Sequence, residues 1–177
     1  MSAIKYTGDI MFELFIPDKI FDNFYDITPE YLMECKIKAV ISDIDNTLAP
    51  YEIAEPTEQI IFWIRSLEAA GIKIAFLSNN HTDRVELFNR GIGVPAYADA
   101  GKPGKKMMLF AMSELGVLPS ETLMLGDQIF TDVVTGKRVG AKAFLVPPIK
   151  DKKTLFFKAK RLLEKPFLKI YYKGAAK

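Results

Sequence analysis

The chain has 177 residues, 49% hydrophobic and 26% charged, the size and balance of one folded domain rather than a disordered segment. One cysteine, Cys35, and one histidine, His81, exclude an internal disulfide framework, a cysteine zinc cluster and a multi-histidine metal site. The net charge of +2 is uneven: residues 150–177 hold ten Lys or Arg against Asp151 and Glu164, net +8, which leaves −6 for residues 1–149.

In chain order, residues 1–36 form an N-terminal flank in which Thr28-Pro29-Glu30 reads as a capped helix start. The run Ile37–Ile44 lacks polar alternation and reads as a strand buried on both faces. Thr57 caps a helix with Ile60, Ile61, Ile64 and Leu67 inward and Gly71 at its end. A strand at Ile72–Leu77, a short helix from Thr82 to Gly91 and a strand at Val94–Ala98 follow. Pro103 suits the first position of a helix that presents Met107, Phe110, Ala111 and Glu114 on one side before Gly116. A strand at Thr122–Leu125, a short helix from about Asp132 to Gly140 and a strand at Ala143–Val146 complete a core over 37–149. This alternation predicts an α/β domain, a parallel sheet with helices on both faces.

Residues 150–177 form a basic amphipathic tail. Leu155, Phe156, Ala159, Leu162 and Leu163 make its apolar stripe; Lys152, Lys153, Lys158, Lys160, Arg161 and Lys165 fill the rest, and Pro166 is expected to end the helix. Such a tail either closes the fold with its stripe on the sheet or meets an anionic partner, a membrane surface or a nucleic acid. Nucleic acid is not favoured, because the aromatics cluster on the stripe instead of interleaving as a stacking platform. No apolar run approaches the roughly 18 residues that cross a bilayer. Asp9, Glu13 and Asp18 interrupt the N-terminal stretch, so no signal peptide is expected, and a reducing, cytoplasmic setting is.

Ligands of open parallel sheets bind beyond the strand C-termini. There the first core strand delivers Asp43-Ile44-Asp45-Asn46-Thr47, the second Ser78-Asn79-Asn80, the loop after the third Lys102, and the fourth Gly126-Asp127 with Asp132 five residues on. Several carboxylates at one edge imply a cation, and an all-oxygen ligand set points to a hard ion, Mg²⁺. A carboxylate beside Mg²⁺ and a lysine is a nucleophile suited to phosphorus, and Asp45 is placed to handle a proton. Each signal alone is weak; the ordered set at four strand ends is specific.

That set, Asp43-x-Asp45-x-Thr47, Ser78, Lys102 and Gly126-Asp127-x4-Asp132, resembles the four motifs of the haloacid dehalogenase (HAD) superfamily over about residues 37–146. The resemblance implies a Rossmann-like three-layer sandwich and an aspartyl-phosphate mechanism. It implies Asp43 as nucleophile, Asp45 as general acid then base, and Lys102 as a catalytic cation that with Ser78 holds the phosphoryl group. It also implies Mg²⁺ on Asp43, Asp127 and the Asp45 carbonyl, with Asp132 in support. Thr47, Ser78, Asn79 and Asn80 are the expected substrate contacts. The intervals Asp45 to Ser78 and Ser78 to Lys102 each hold one helix and one strand, so no cap domain is expected.

More narrowly, Asp43-Ile-Asp-Asn-Thr-Leu, Ser78-Asn-Asn and Gly126-Asp-Gln-x-x-Thr-Asp132 resemble the YqeG group of subclass IIIA phosphatases, itself similar to phosphatidylglycerophosphate phosphatases. This implies a membrane phospholipid monoester as substrate and phosphatidylglycerol as product; peripheral contact of 150–177 with an anionic membrane is expected from the tail's own apolar and basic residues. A nucleic-acid or nucleotide phosphatase and a receiver-like phosphorylation switch are the alternatives; a receiver would carry its phosphorylated Asp after a later strand. His81 reads as a helix-start residue, Arg84 faces phosphate or solvent, Cys35 is expected buried and Trp63 packed on a neighbouring helix.

Overall fold

The computed structural model describes residues 12–150 and 155–175. Six strands, β1 Lys19–Ile20, β2 Ala39–Ser42, β3 Lys73–Leu77, β4 Ala96–Tyr97, β5 Thr122–Gly126 and β6 Lys142–Leu145, pair in parallel in the order β1-β6-β5-β2-β3-β4. The helices are α1 Pro29–Glu34, α2 Glu58–Ala69, α3 Thr82–Asn89, α4 Lys106–Leu115, α5 Val134–Val139 and α6 Leu155–Ala175.

Alternation along the strands decides which layer each residue joins. Val40, Ile74, Phe76, Leu123 and Phe144 pack with Leu32 of α1, Ile60, Trp63, Ile64 and Leu67 of α2 and Phe88 of α3. Ile41, Ala75, Leu77 and Met124 turn to the other face and meet Met108, Ala111, Met112 and Leu115 of α4. Ala143 and Leu145 meet Val133, and Phe167 and Leu168 of α6 pack against them. A Cβ on Gly136 would lie 2.9 Å from that of Met124, so glycine permits the close approach of α5 to the sheet. The result is the expected three-layer α/β sandwich, with no domain inserted between Asp45 and Ser78 or between Ser78 and Lys102. No described helix is long and apolar enough to cross a membrane.

Local signals explain the well-read elements. Thr28 and Thr57 accept hydrogen bonds from Tyr31 N and Ile60 N, capping α1 and α2. Trp63 donates to the Ile27 carbonyl at 2.9 Å and meets Phe24 edge-on, packing on the turn before α1. Cys35 is partly exposed rather than buried.

Other features differ from expectation. β1 is an additional edge strand of two residues, secured where Asp18 accepts from Ala143 N at 2.8 Å and pairs with Lys137. Pro103 does not open α4: residues 101–104 form a turn closed by Gly104 N on Gly101 O, and the helix starts at Lys106. The buried face of α4 is consequently Met108, Ala111, Met112 and Leu115, while Phe110 is exposed. Finally, α6 continues through Pro166 to Ala175. Pro166 is exposed, where the carbonyl it leaves unpaired can meet water. Phe167, stacked 4.9 Å from Phe15, and Tyr171, whose hydroxyl accepts from Ile20 N, hold the helix beyond it.

The tail helix also presents the opposite face to that expected for a stripe lying on the sheet. Leu155, Leu162 and Leu163 are exposed, whereas Arg161, Glu164, Phe167 and Leu168 turn inward. Asp9, Lys152, Lys153 and the side chain of Phe156 lie outside the described residues.

Candidate active site

Asp43 is the first residue beyond β2, its N–H continuing the ladder to Leu125 O at 2.8 Å. The chain then turns sharply: Asn46 takes a left-handed conformation (φ 66°), which asparagine tolerates, and its N–H returns to Ala49 O. The turn sends the two acids of the motif to different partners. Asp43 faces Lys102, whose ammonium lies 2.7 Å from Asp43 Oδ1 and 2.7 Å from Asp132 Oδ1. Asp45 faces Arg84, which donates through Nε and Nη2 at 3.2 and 3.0 Å, and Asn80, which donates at 3.0 Å. Arg84 therefore faces neither phosphate nor open solvent; its third donor holds the Ala54 carbonyl at 3.0 Å.

The remaining sequence-expected residues converge on the same edge. Ser78, buried at the end of β3, accepts from Asn80 N at 3.0 Å, which leaves its hydroxyl proton to donate. Asn79 brackets the Lys102 backbone, accepting from its N–H at 2.7 Å and donating to its carbonyl at 3.0 Å; its amide holds the lysine loop. Thr47 is fully buried and donates to Asp43 Oδ2 at 3.3 Å, beneath the cleft rather than on its wall. His81 stands at the N-terminus of α3 and pairs with Asp99 at 3.0 Å in solvent.

Carboxylate oxygens of Asp43, Asp127 and Asp132 lie within 4.8 Å of one another, all three residues buried. Burial pushes the Asp43 carboxyl up to about 7; Lys102 opposes this, and Asp132 and Asp127 add to it. Burial, reinforced by Asp132 and opposed by Arg161, pushes Asp127 up to about 6. Burial disfavours the Lys102 ammonium, yet Asp132 and Asp43 outweigh it and its pKa is raised. A buried, all-oxygen trio, with Asp43 and Asp127 both raised by burial, is a donor set that fits a hard divalent cation.

Sequence reasoning missed the contribution of α6. Arg161 pairs with the Asp127 carboxylate, donates to the Asp127 carbonyl at 2.6 Å and bonds Glu164 at 2.8 Å. Glu164, 2% exposed, accepts from Ile129 N at 2.9 Å. Lys160 reaches the Gln128 side-chain carbonyl and, with Phe157, joins Tyr51, Asn46 and Thr131 in lining an open cleft over Asp43. Burial lowers the Lys160 pKa, against the attraction of Asp132, Glu164 and Asp127. The one available signal was Glu164 itself, an isolated acid three residues after Arg161 in a basic segment.

Residues 99–154 match the model of the HAD-hydrolase-like family. The probable phosphatase YqeG of Bacillus subtilis is 33% identical over 156 residues, spanning 88% of this chain and 91% of its own. The putative pyrophosphatase PpaX of Clostridium perfringens is 34% identical over 88 residues, 45% of this chain and 41% of its own. Among solved structures, the cobalt-bound deoxy-D-mannose-octulosonate 8-phosphate phosphatase of Haemophilus influenzae superposes with a TM-score of 0.54 at 16% identity, over 78% of this chain and 91% of that one. That last likeness speaks for the fold. With the motif residues gathered at one sheet edge and the YqeG match spanning most of both chains, the protein belongs to the HAD-like phosphatases.

Proposed function

We propose that the protein hydrolyses a phosphomonoester through an aspartyl-phosphate on Asp43, with Mg²⁺, and that its substrate is a membrane lipid, phosphatidylglycerophosphate. The observation that carries the chemistry is the division of labour within one motif: Asp43 on Lys102, Asp45 held apart on Arg84 and Asn80.

In this reading Asp43, ionised beside Lys102, attacks phosphorus as Asp45 gives its proton to the departing alkoxide. A P–O bond to Asp43 forms and the ester P–O bond breaks. Asp45, now a carboxylate, takes a proton from water; the hydroxide attacks phosphorus and Asp43 leaves as a carboxylate. Ser78 donates to a phosphoryl oxygen, and Asn79 keeps Lys102 in place. Asp43, Asp127 and the Asp45 carbonyl would hold the cation, with Asp132 beside them. Bound there, it would neutralise phosphoryl charge and draw electron density from phosphorus. The cobalt bound by the Haemophilus enzyme agrees with a divalent ion in this fold.

Two features support a lipid. Among the described residues nothing caps the cleft, and the helix beside it exposes Leu155, Leu162 and Leu163 among lysines, a face suited to an anionic membrane. We place the protein peripherally at the inner face of the membrane.

The test is phosphate release with Mg²⁺ from phosphatidylglycerophosphate micelles, beside a soluble generic phosphomonoester and a 5′-phosphorylated oligonucleotide. Preference for the lipid, lost in Asp43→Asn, supports both chemistry and substrate. Activity on the generic ester alone removes the lipid, and preference for the oligonucleotide replaces it.

A further inference from the structure

Of the cations around the cleft, three are matched to acids: Lys102 to Asp43 and Asp132, Arg84 to Asp45, Arg161 to Asp127 and Glu164. Lys160 is different. It is half-buried in the cleft wall, yet its hydrogen bond goes to a neutral carbonyl, Gln128 Oε1. Among the described residues no carboxylate lies within ion-pair distance of it, the nearby acids being engaged by Lys102 and Arg161. An ammonium has three donors, so two remain for an incoming anion.

Topology sets this cation across Asp43 from Ser78 and Asn80, on the side of Asp127 and Asp132. Asp43 follows β2; Ser78 and Asn80 follow β3 on one side, and Gln128 follows β5 on the other. Lys160 reaches in from α6 on the Gln128 side, with Phe157 one turn before it.

We propose that Lys160 binds a second anionic group of the substrate, one that is not cleaved. It thereby selects phosphomonoesters that carry a further phosphate-type anion a few bonds from the reacting phosphoryl. The inference rests on the phosphomonoesterase reading above and adds the feature that sets one ester apart from another.

Two soluble esters test it: glycerol 1-phosphate, with a single phosphate, and glycerophosphoglycerol phosphate, which adds a phosphodiester. Wild type favours the second in kcat/KM. In Lys160→Ala that preference falls about 10-fold, carried by KM, the size of one charged hydrogen-bonded contact. Lys160→Arg keeps most of it. Lys160→Gln, which retains a polar partner for Gln128, reads the same loss where the Ala variant melts early. An unchanged preference overturns the assignment. So does an equal loss of kcat on both esters, which moves Lys160 to the reacting phosphoryl group. Wild-type hydrolysis of neither ester overturns this inference, and silence on phosphatidylglycerophosphate micelles as well overturns the phosphomonoesterase reading.

Discussion

Arg161 closes on Asp127 from a helix 34 residues further along the chain, meeting both its carboxylate and its main-chain oxygen. The same guanidinium bonds Glu164, which accepts from Ile129 N, so the loop carrying Asp127 is gripped at two points by one turn of α6. The tail is therefore part of the site's framework. Arg161→Gln leaves Glu164 buried without its cation. We expect a loss of about 2–3 kcal/mol, below the roughly 3–5 of a fully buried pair because the Arg161 side chain is 25% exposed. Glu164→Gln costs less, and the double variant costs less than the sum. Urea unfolding of the four proteins checks this, and strict additivity would refute the coupled grip.

A second constraint lies at Gly126. A Cβ there would overlap the Cβ and carboxyl of Asp132, which is fixed by Lys102 on one oxygen and Gln128 N on the other. Gly126→Ala has to displace a charged, buried partner and is expected to cost about 3 kcal/mol. Gly71→Ala, where φ is +77° but nothing lies within 4 Å, meets only backbone strain, about 1–2 kcal/mol. Equal losses in the two variants, read by thermal or urea melts, would contradict the steric argument.

Much of this was legible because buried parallel strands are written as unbroken apolar runs, and because four strands each end in a polar residue of distinctive type. Lys19–Ile20 left no such trace: two residues make no pattern, and the strand exists because Asp18 bonds Ala143, 125 positions away. Pro103 fits a helix start as well as the turn it occupies, and that ambiguity rotated the expected face of α4. For the tail, periodicity correctly found an apolar stripe but could not say which side meets the protein. That choice rests on Arg161 and Glu164 finding Asp127 and Ile129, pairings invisible to any local window.

The raised carboxyls give the metal-free protein a pH signature. In the unfolded chain Asp43 and Asp127 titrate near 4, whereas folded they hold protons to about 7 and about 6. The stability they contribute is thus complete below about pH 4 and is lost as pH rises through 6 to 7. Metal-free wild type is expected to melt lower at pH 8 than at pH 5, by on the order of 5 °C. Mg²⁺, the proposed cation, is expected to raise the melting temperature more at pH 8, since a cation binds the ionised form. Asp43→Asn, an uncharged mimic, flattens the profile. A melting temperature that climbs with pH in the metal-free protein would reverse the sign and refute the account.

Two donors of Arg84 hold Asp45 Oδ1, a third holds Ala54, and its guanidinium lies 5.3 Å from the Phe88 ring, which limits its motion. With Asn80 on the other oxygen, the Asp45 carboxyl is aimed without help from substrate. Arg84→Ala removes the larger part of that aim, and, with Asp45 as the proposed general acid, misplacing it by an ångström costs about 100-fold in rate. The loss is expected to depend on the leaving group. It is large for an alkyl phosphate, whose alkoxide needs a proton, and small for 4-nitrophenyl phosphate, whose leaving group departs without one. Arg84→Lys recovers part of the alkyl rate by restoring a cation, though not the two-donor geometry. Equal losses on both esters would show that Arg84 supports the fold or the phosphoryl group, and would separate it from proton transfer by Asp45.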